Sequence, residues 1–509
     1  MSRLRGVTAG LRRGARRVNV AGVARVALVA GAGVALVHLA TDRPVEIDLV
    51  AATGQQQAPL VGTSLATRVA LACPGPELAG IPGTPDVAVT SSVTAAAGPA
   101  ELLPVPARGA GRLVATSGAT TLLALTERPA AVSAVVPGRA AATTGEVEPT
   151  LLTGSGSMAP AAAGSQEWRT DTAGLRGLVT TPCAAGGSDL WLVGGGGGPG
   201  RQERLILTNP GANPVTTDVA VHGAAGRLGD PVVETVPSGG RVSVLLDARY
   251  GQEEHPVVHV RSDGGGVLAT LTDTWVDGST PLGADTTVAA APPSGVQVVP
   301  GVVVDANGTT SVRVAVPGPQ DAVVRVSVLD RAGLVPWTGE SVLSVTGGAV
   351  GELPLTGLPA GTYALALRAD VPVVASAFSR VGTGTAPGEI AWSPAALGID
   401  SVGGAALAPV ADLERTLQLV STGGNSTAEV VTVIDGTPRT RRLDLLADRV
   451  ASVPLDDAAS VWVRRVTGSG ELRGTVLSSS GTGAARMLSS MPLGESAVTS
   501  EVSRAFPLP

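Results

Sequence analysis

The second half of the chain states one set of three phrases three times, always in the same order. Near Leu205 it reads RLILTNPGANPVTTDVAVHG, GGRVSVLLD and HPVVHVRSDGGGVLATLTDTWVDG. Near Val312 it reads SVRVAVPGPQDAVVRVSVLD, GGAVGELPL and GTYALALRADVPVVASAFSRVGTG. Near Leu417 it reads TLQLVSTGGNSTAEVVTVID, ADRVASVPLDD and ASVWVRRVTGSGELRGTVLSSSGTG. Recurrence in fixed order marks a duplicated structural unit. Within each phrase apolar and polar residues alternate, as at Val219 and Val221 or Val324, Val326 and Val328. A period of two with β-branched residues predicts short antiparallel strands. The 68 glycines and 38 prolines interrupt nearly every apolar run before it reaches helical length. The expected fold is all-β: tandem immunoglobulin-like β-sandwich modules of about a hundred residues each.

The N-terminus carries a different signal. Residues 1–25 hold seven arginines and no acid, and VALVAGAGVALVHLA follows at 26–40. The stretch Val20–Ala40 approaches the ~20 residues that span a bilayer, with Arg25 placed to snorkel at its edge. It reads as one N-terminal transmembrane helix with a cytoplasmic tail and an extracytoplasmic bulk. A cleaved signal peptide is the rival reading. The remaining 29 arginines stand against 42 carboxylates, a net charge of −13 outside the tail. This argues against nucleic acid as a partner. No lysine occurs, which excludes a Schiff-base or P-loop lysine.

The expected organisation is a tail and anchor over 1–41, a juxtamembrane linker over 42–60 and an irregular β module over 61–165. Three sandwich repeats follow over 166–290, 291–395 and 396–509. The two cysteines, Cys73 and Cys183, read as a disulfide in an exported chain, tying the first segment to the start of the repeats.

Motifs that suggest chemistry fail on inspection. The glycine run at 194–198 lacks the Lys-Ser/Thr continuation of a phosphate cradle and reads as a hairpin loop. His255 and His259 would lie ~13 Å apart on a strand, too far for one zinc ion. Asp273, Asp277 and Asp285 read as a polar loop after the last strand of a repeat, and DANG at 305–308 as a hairpin turn. Arg261, Arg368 and Arg464 each close a strand and read as edge-protecting charges. Among ten aromatics, Trp191, Trp275 and Trp462 sit inside strand phrases. Trp337 and Trp392, in turn-like settings beside proline, are the better candidates for exposed contacts, with core packing the favoured reading even for them. No cofactor or metal site is expected.

An Arg-rich anchor, CPGP at Cys73, PC followed by LWLVGGGG after Cys183, and ILTNPG repeats together resemble an actinobacterial family of exported, membrane-anchored proteins of unassigned function. The resemblance implies an outward-facing, tethered envelope protein and supplies no catalytic residue. The expected role is a non-enzymatic scaffold or binding element of the bacterial cell envelope, with an envelope protein or glycan as partner. The alternative is an envelope polysaccharide-processing enzyme or accessory, recognisable by two facing carboxylates about 5–10 Å apart in an open cleft.

Overall fold

Alternation in the sequence becomes two-faced strands. Along Val215–Gly223 the residues Val215, Thr217, Val219 and Val221 turn inward, while Thr216 and Asp218 face out. The computed structural model describes residues 63–501, apart from 82–85, 88, 129–130, 138–147, 173, 252, 383–385 and 411. The anchor and linker expected over 1–60 lie outside the described residues. No helix among the described residues is long and apolar enough to cross a membrane.

In the second module eight strands run in order: Asp189–Val193, Arg201–Thr208, Val215–Gly223, Gly226–Val236, Arg241–Leu245, Val257–Asp263, Leu268–Asp277 and Thr280–Val288. One sheet orders them first, sixth, third, fourth, and the other fifth, second, seventh, eighth. Residues from both sheets meet in one core that includes Leu205, Leu207, Val219, Val260 and Leu271. Each module is therefore a sandwich.

The fourth module follows the same order from Val402–Ala406 to Met487–Pro492, as does the third from Ser294–Val304 to Glu389–Pro394. In the third, one 21-residue strand, Gly361–Val381, serves as sixth and seventh. Its first half pairs in one sheet and its second half in the other. The other modules turn here through SDGGG or TGSG, whereas the third has ADVPV, with no glycine to break the extended backbone. The phrases RVSVLLD, AVGELPL and RVASVPLDD all supply the fifth strand, paired to the second.

Two sequence expectations need revision. First, residues 68–183 are not irregular: from Arg68–Cys73 to Leu175–Cys183 they form a further sandwich with the same strand order. The expected boundary at 165/166 cuts the strand Ala162–Thr172, whereas those at 290 and 395 fall between strands. Second, the sheets depart from the ABED/CFG order of an immunoglobulin constant domain. The inner pairs, second with fifth and third with sixth, match it. At the outer positions the first strand flanks the sixth and the seventh flanks the second, so the terminal strands have exchanged sheets. The fourth strand flanks the third instead of the fifth, and an eighth strand, paired to the seventh, extends the second sheet.

The eighth strands organise the molecule. Each packs against the eighth strand of the next module, and that of the fourth returns to that of the first. Apolar clusters fill the joints: Trp168 and Val179 with Ala284, Trp191 and Val257 with Val350, Val298 and Ala364 with Val420. The last joint places Trp462 and Val431 of the fourth module against Ala96 and Leu102 of the first. A short strand pair, Thr63–Leu65 with Thr499–Glu501, seals it. The four modules thus close into a ring. Close approach at its axis requires glycine: at Gly177 an added Cβ would come within 2.6 Å of the Ala284 carbonyl oxygen, and at Gly283, where φ is +135°, it would strike the Ile390 amide.

Candidate functional site

The joint between the second and third modules gathers most of the chemically versatile side chains. Its buried half is a charged network. The Arg201 guanidinium grips Asp273 with two hydrogen bonds, Nε to Oδ1 at 2.9 Å and Nη2 to Oδ2 at 2.5 Å, and lies over the rings of Trp275 and Phe378. Trp392 bridges the modules, its indole Nε1 donating to Asp273 Oδ2 at 2.9 Å and its amide to Asp285 Oδ2 at 2.6 Å. Arg313, 4.9 Å from the Trp392 ring, donates to Glu352 and to the Gly195 and Pro256 carbonyls. Against the upward push of burial, the hydrogen bond from His255 and the Arg313 charge hold Glu352 well below the usual carboxylate range. Burial pushes Glu203 up to about 9, where it accepts the Gly196 amide at 2.6 Å. Every charge here is committed to the protein itself, which makes the network a fastener.

At the ring axis, burial also raises Glu77 to about 7, with the Trp168 indole and the Arg241 charge opposing. Asp285 and Glu389 rise well above their ordinary values, again through burial. Asp285 Oδ1 and Glu389 Oε2 have no hydrogen-bond partner among the described residues, so a neutral acid is the form that burial favours.

The exposed half of the joint is a groove of about 390 Å³ on the first sheet of the second module. Strand register writes its floor in rows. Asp189 and Asp218 flank Arg261, then Trp191 and Ala220 flank His259, and His222 stands opposite Arg227. Trp191 and His259 stack with centroids 3.9 Å apart at 11°. His259 Nε2 lies 2.9 Å from Asp189 Oδ1. Burial lowers the His259 pKa, against the pull of Asp189. His222 tilts onto Trp191 and donates from Nδ1 to the Gly348 carbonyl of the third module at 3.0 Å. Pro231, Pro293 and Pro317 line the walls.

Cys73 and Cys183 form a disulfide, but it joins the first and last strands of one module instead of linking two, because both strands lie at sheet edges that meet there. Trp392 is not exposed. At 1 % accessibility it is the buried bridge just described. Trp337 is half-buried on the third module's core, with its Nε1 donating to the Thr356 carbonyl. Asp273 and Asp285 are no loop: they face each other on paired strands, both fully buried. The glycine run connects strands of opposite sheets, and the DANG turn connects a strand paired to the first half of Gly361–Val381 with one paired to its second half, so neither closes a hairpin. His255 and His259 are held separately, by Glu352 and Asp189. Arg261 and Arg368 are exposed on their strands and Arg464 pairs with Glu429. Among the described residues no group of three or more His, Cys, Asp or Glu could hold a metal ion.

Sequence reasoning missed Trp191, His222 and His259 as a cluster. The signal was present: three of the four histidines fall between 222 and 259.

No curated protein matches the chain. A family profile does, over residues 139–456, a span that contains the whole second and third modules and their joint and exceeds half the chain. The chain belongs to that family, described as a family of unknown function (DUF5719).

Proposed function

We propose that this protein is a non-enzymatic scaffold or binding element of the bacterial cell envelope, tethered by its N-terminal segment, with the immunoglobulin-related modules outside the membrane. Ring closure carries this reading. Four sandwiches that each pack on two neighbours, with the last joint sealed by Thr63–Leu65 on Thr499–Glu501, form a rigid body suited to presenting fixed surface grooves. The alternative, a polysaccharide-processing enzyme, needs a raised carboxylic acid open to substrate. The carboxyls raised by burial at the ring axis, Glu77, Asp285 and Glu389, are sealed from solvent, which favours the scaffold.

The reading is tested by protease treatment of intact, wall-stripped cells, followed by recovery of the chain from the membrane fraction. The expected result is cleavage confined to exposed loops, with 63–501 held outside and the N-terminus protected. Full protection until lysis overturns the topology. Release of reducing ends from envelope polysaccharide by the purified chain overturns the non-enzymatic assignment.

A further inference from the structure

We propose that the groove between the second and third modules is a binding site for a neutral saccharide segment. This deepens the binding-element reading and rests on it. Sugar recognition needs an apolar surface for ring C–H groups beside hydrogen-bonding groups that match hydroxyls in both polarities. The His259 ring, 17 % exposed and backed by the buried Trp191 on which it stacks, supplies the first. The row Asp189, Arg261, Asp218 supplies acceptor, donor, acceptor across three neighbouring strands, at the ~4.8 Å strand spacing.

Shape comes from one small residue. On the strand Val215–Gly223, Ala220 stands between Asp218 and His222 on the same face, so a hollow opens beside the aromatic pair. The groove volume of about 390 Å³ lies within the range of small-molecule sites. Charge selects among ligands. Asp189 and Asp218 are matched by Arg261 and Arg227, leaving no net field to attract a polyanion. The site is also organised in advance: Asp189 holds His259, the Gly348 carbonyl holds His222, and proline lines the walls. Little ordering remains to oppose binding.

The test is affinity electrophoresis of the full-length chain in mild detergent through native gels containing soluble glucan, mannan, galactan or arabinan, with polygalacturonate as the anionic comparison. At least one neutral polymer is expected to retard the protein and polygalacturonate is not. Ala220→Trp, which fills the hollow, and His259→Ala, which removes half the stack, should each weaken retardation at least tenfold. Near-UV circular dichroism checks that both variants keep the native fold. Absence of retardation by all four neutral polymers overturns the proposal, as does full retardation of folded Ala220→Trp, or equal retardation by polygalacturonate. Protease accessibility of intact cells does not depend on the groove, so failure here leaves the tethered-scaffold reading to stand or fall on that separate measurement.

Discussion

Glu77 shows how one residue ties stability to pH. Its side chain is fully buried, receives the Trp168 indole proton and sits near the Arg241 charge, and burial lifts its pKa to about 7. A carboxyl whose folded pKa exceeds its unfolded value stabilises the native state fully below the unfolded value, near 4.5, and loses that contribution as pH rises through the folded one. The melting temperature should therefore fall between about pH 4.5 and pH 7, with Glu77 accounting for about 3 kcal/mol. Asp285 and Glu389 act in the same direction. In Glu77→Gln the slope should be shallower in a pH series of thermal melts, and an unchanged slope would exclude Glu77 as its source. A second residue-scale prediction concerns Gly283. Its φ of +135° and its contact with the Ile390 amide leave no room for a side chain, so Gly283→Val should cost several kcal/mol. Urea unfolding would measure it, and a loss below 1 kcal/mol would mean that the axis is loosely packed.

At the scale of elements, the disulfide joins the open edges of the first sandwich. Cys73 ends its first strand and Cys183 its eighth, and Gly164, the register partner of Cys183, leaves space for the sulfur. Closing a loop of 110 residues contributes about 4–5 kcal/mol in the chain-entropy model. A Cys73→Ser, Cys183→Ser double variant should lose stability by that order in calorimetry, with the transition of the first module falling first. Non-reducing peptide mapping of the native chain should yield the crosslinked peptide pair. Which elements were legible follows from what covers them. Strands with one face inward and one outward, such as Val215–Gly223, advertise themselves by alternating valine. The first module alternates in alanine, serine and threonine, as in TSSVTAAA, so its strand period is present with almost no hydrophobic contrast. The eighth strands are covered on both faces. In TPLGADTTV every residue after Thr280 is buried, alternation vanishes, and polar residues that line a joint look like a loop. Trp392 carries no alternation signal for the same reason, since EIAWSP is buried throughout. The groove was hidden differently: its residues come from strands distant in sequence and meet only through register.

At the scale of the whole molecule, closure makes the first and fourth modules dependent on each other. Trp462, with no accessible surface, fills the final joint, and Trp462→Ala should cost about 3–5 kcal/mol. The loss should appear as opening of the ring, with a larger radius of gyration in small-angle scattering and new protease cuts near Leu102 and Val431. Module-internal strands should stay protected. A variant that loses stability without expanding would show that Trp462 serves its own module alone. The seam also decides how the body meets a load. Thr63 lies opposite Glu501, so the chain enters and leaves at the same end of one short antiparallel pair, whose hydrogen bonds run across the strands. A pull between those two points works on the bonds one after another, like a zipper. Single-molecule stretching across 63 and 501 should part this seam at low force and return an opened arc of intact sandwiches before any sandwich unravels.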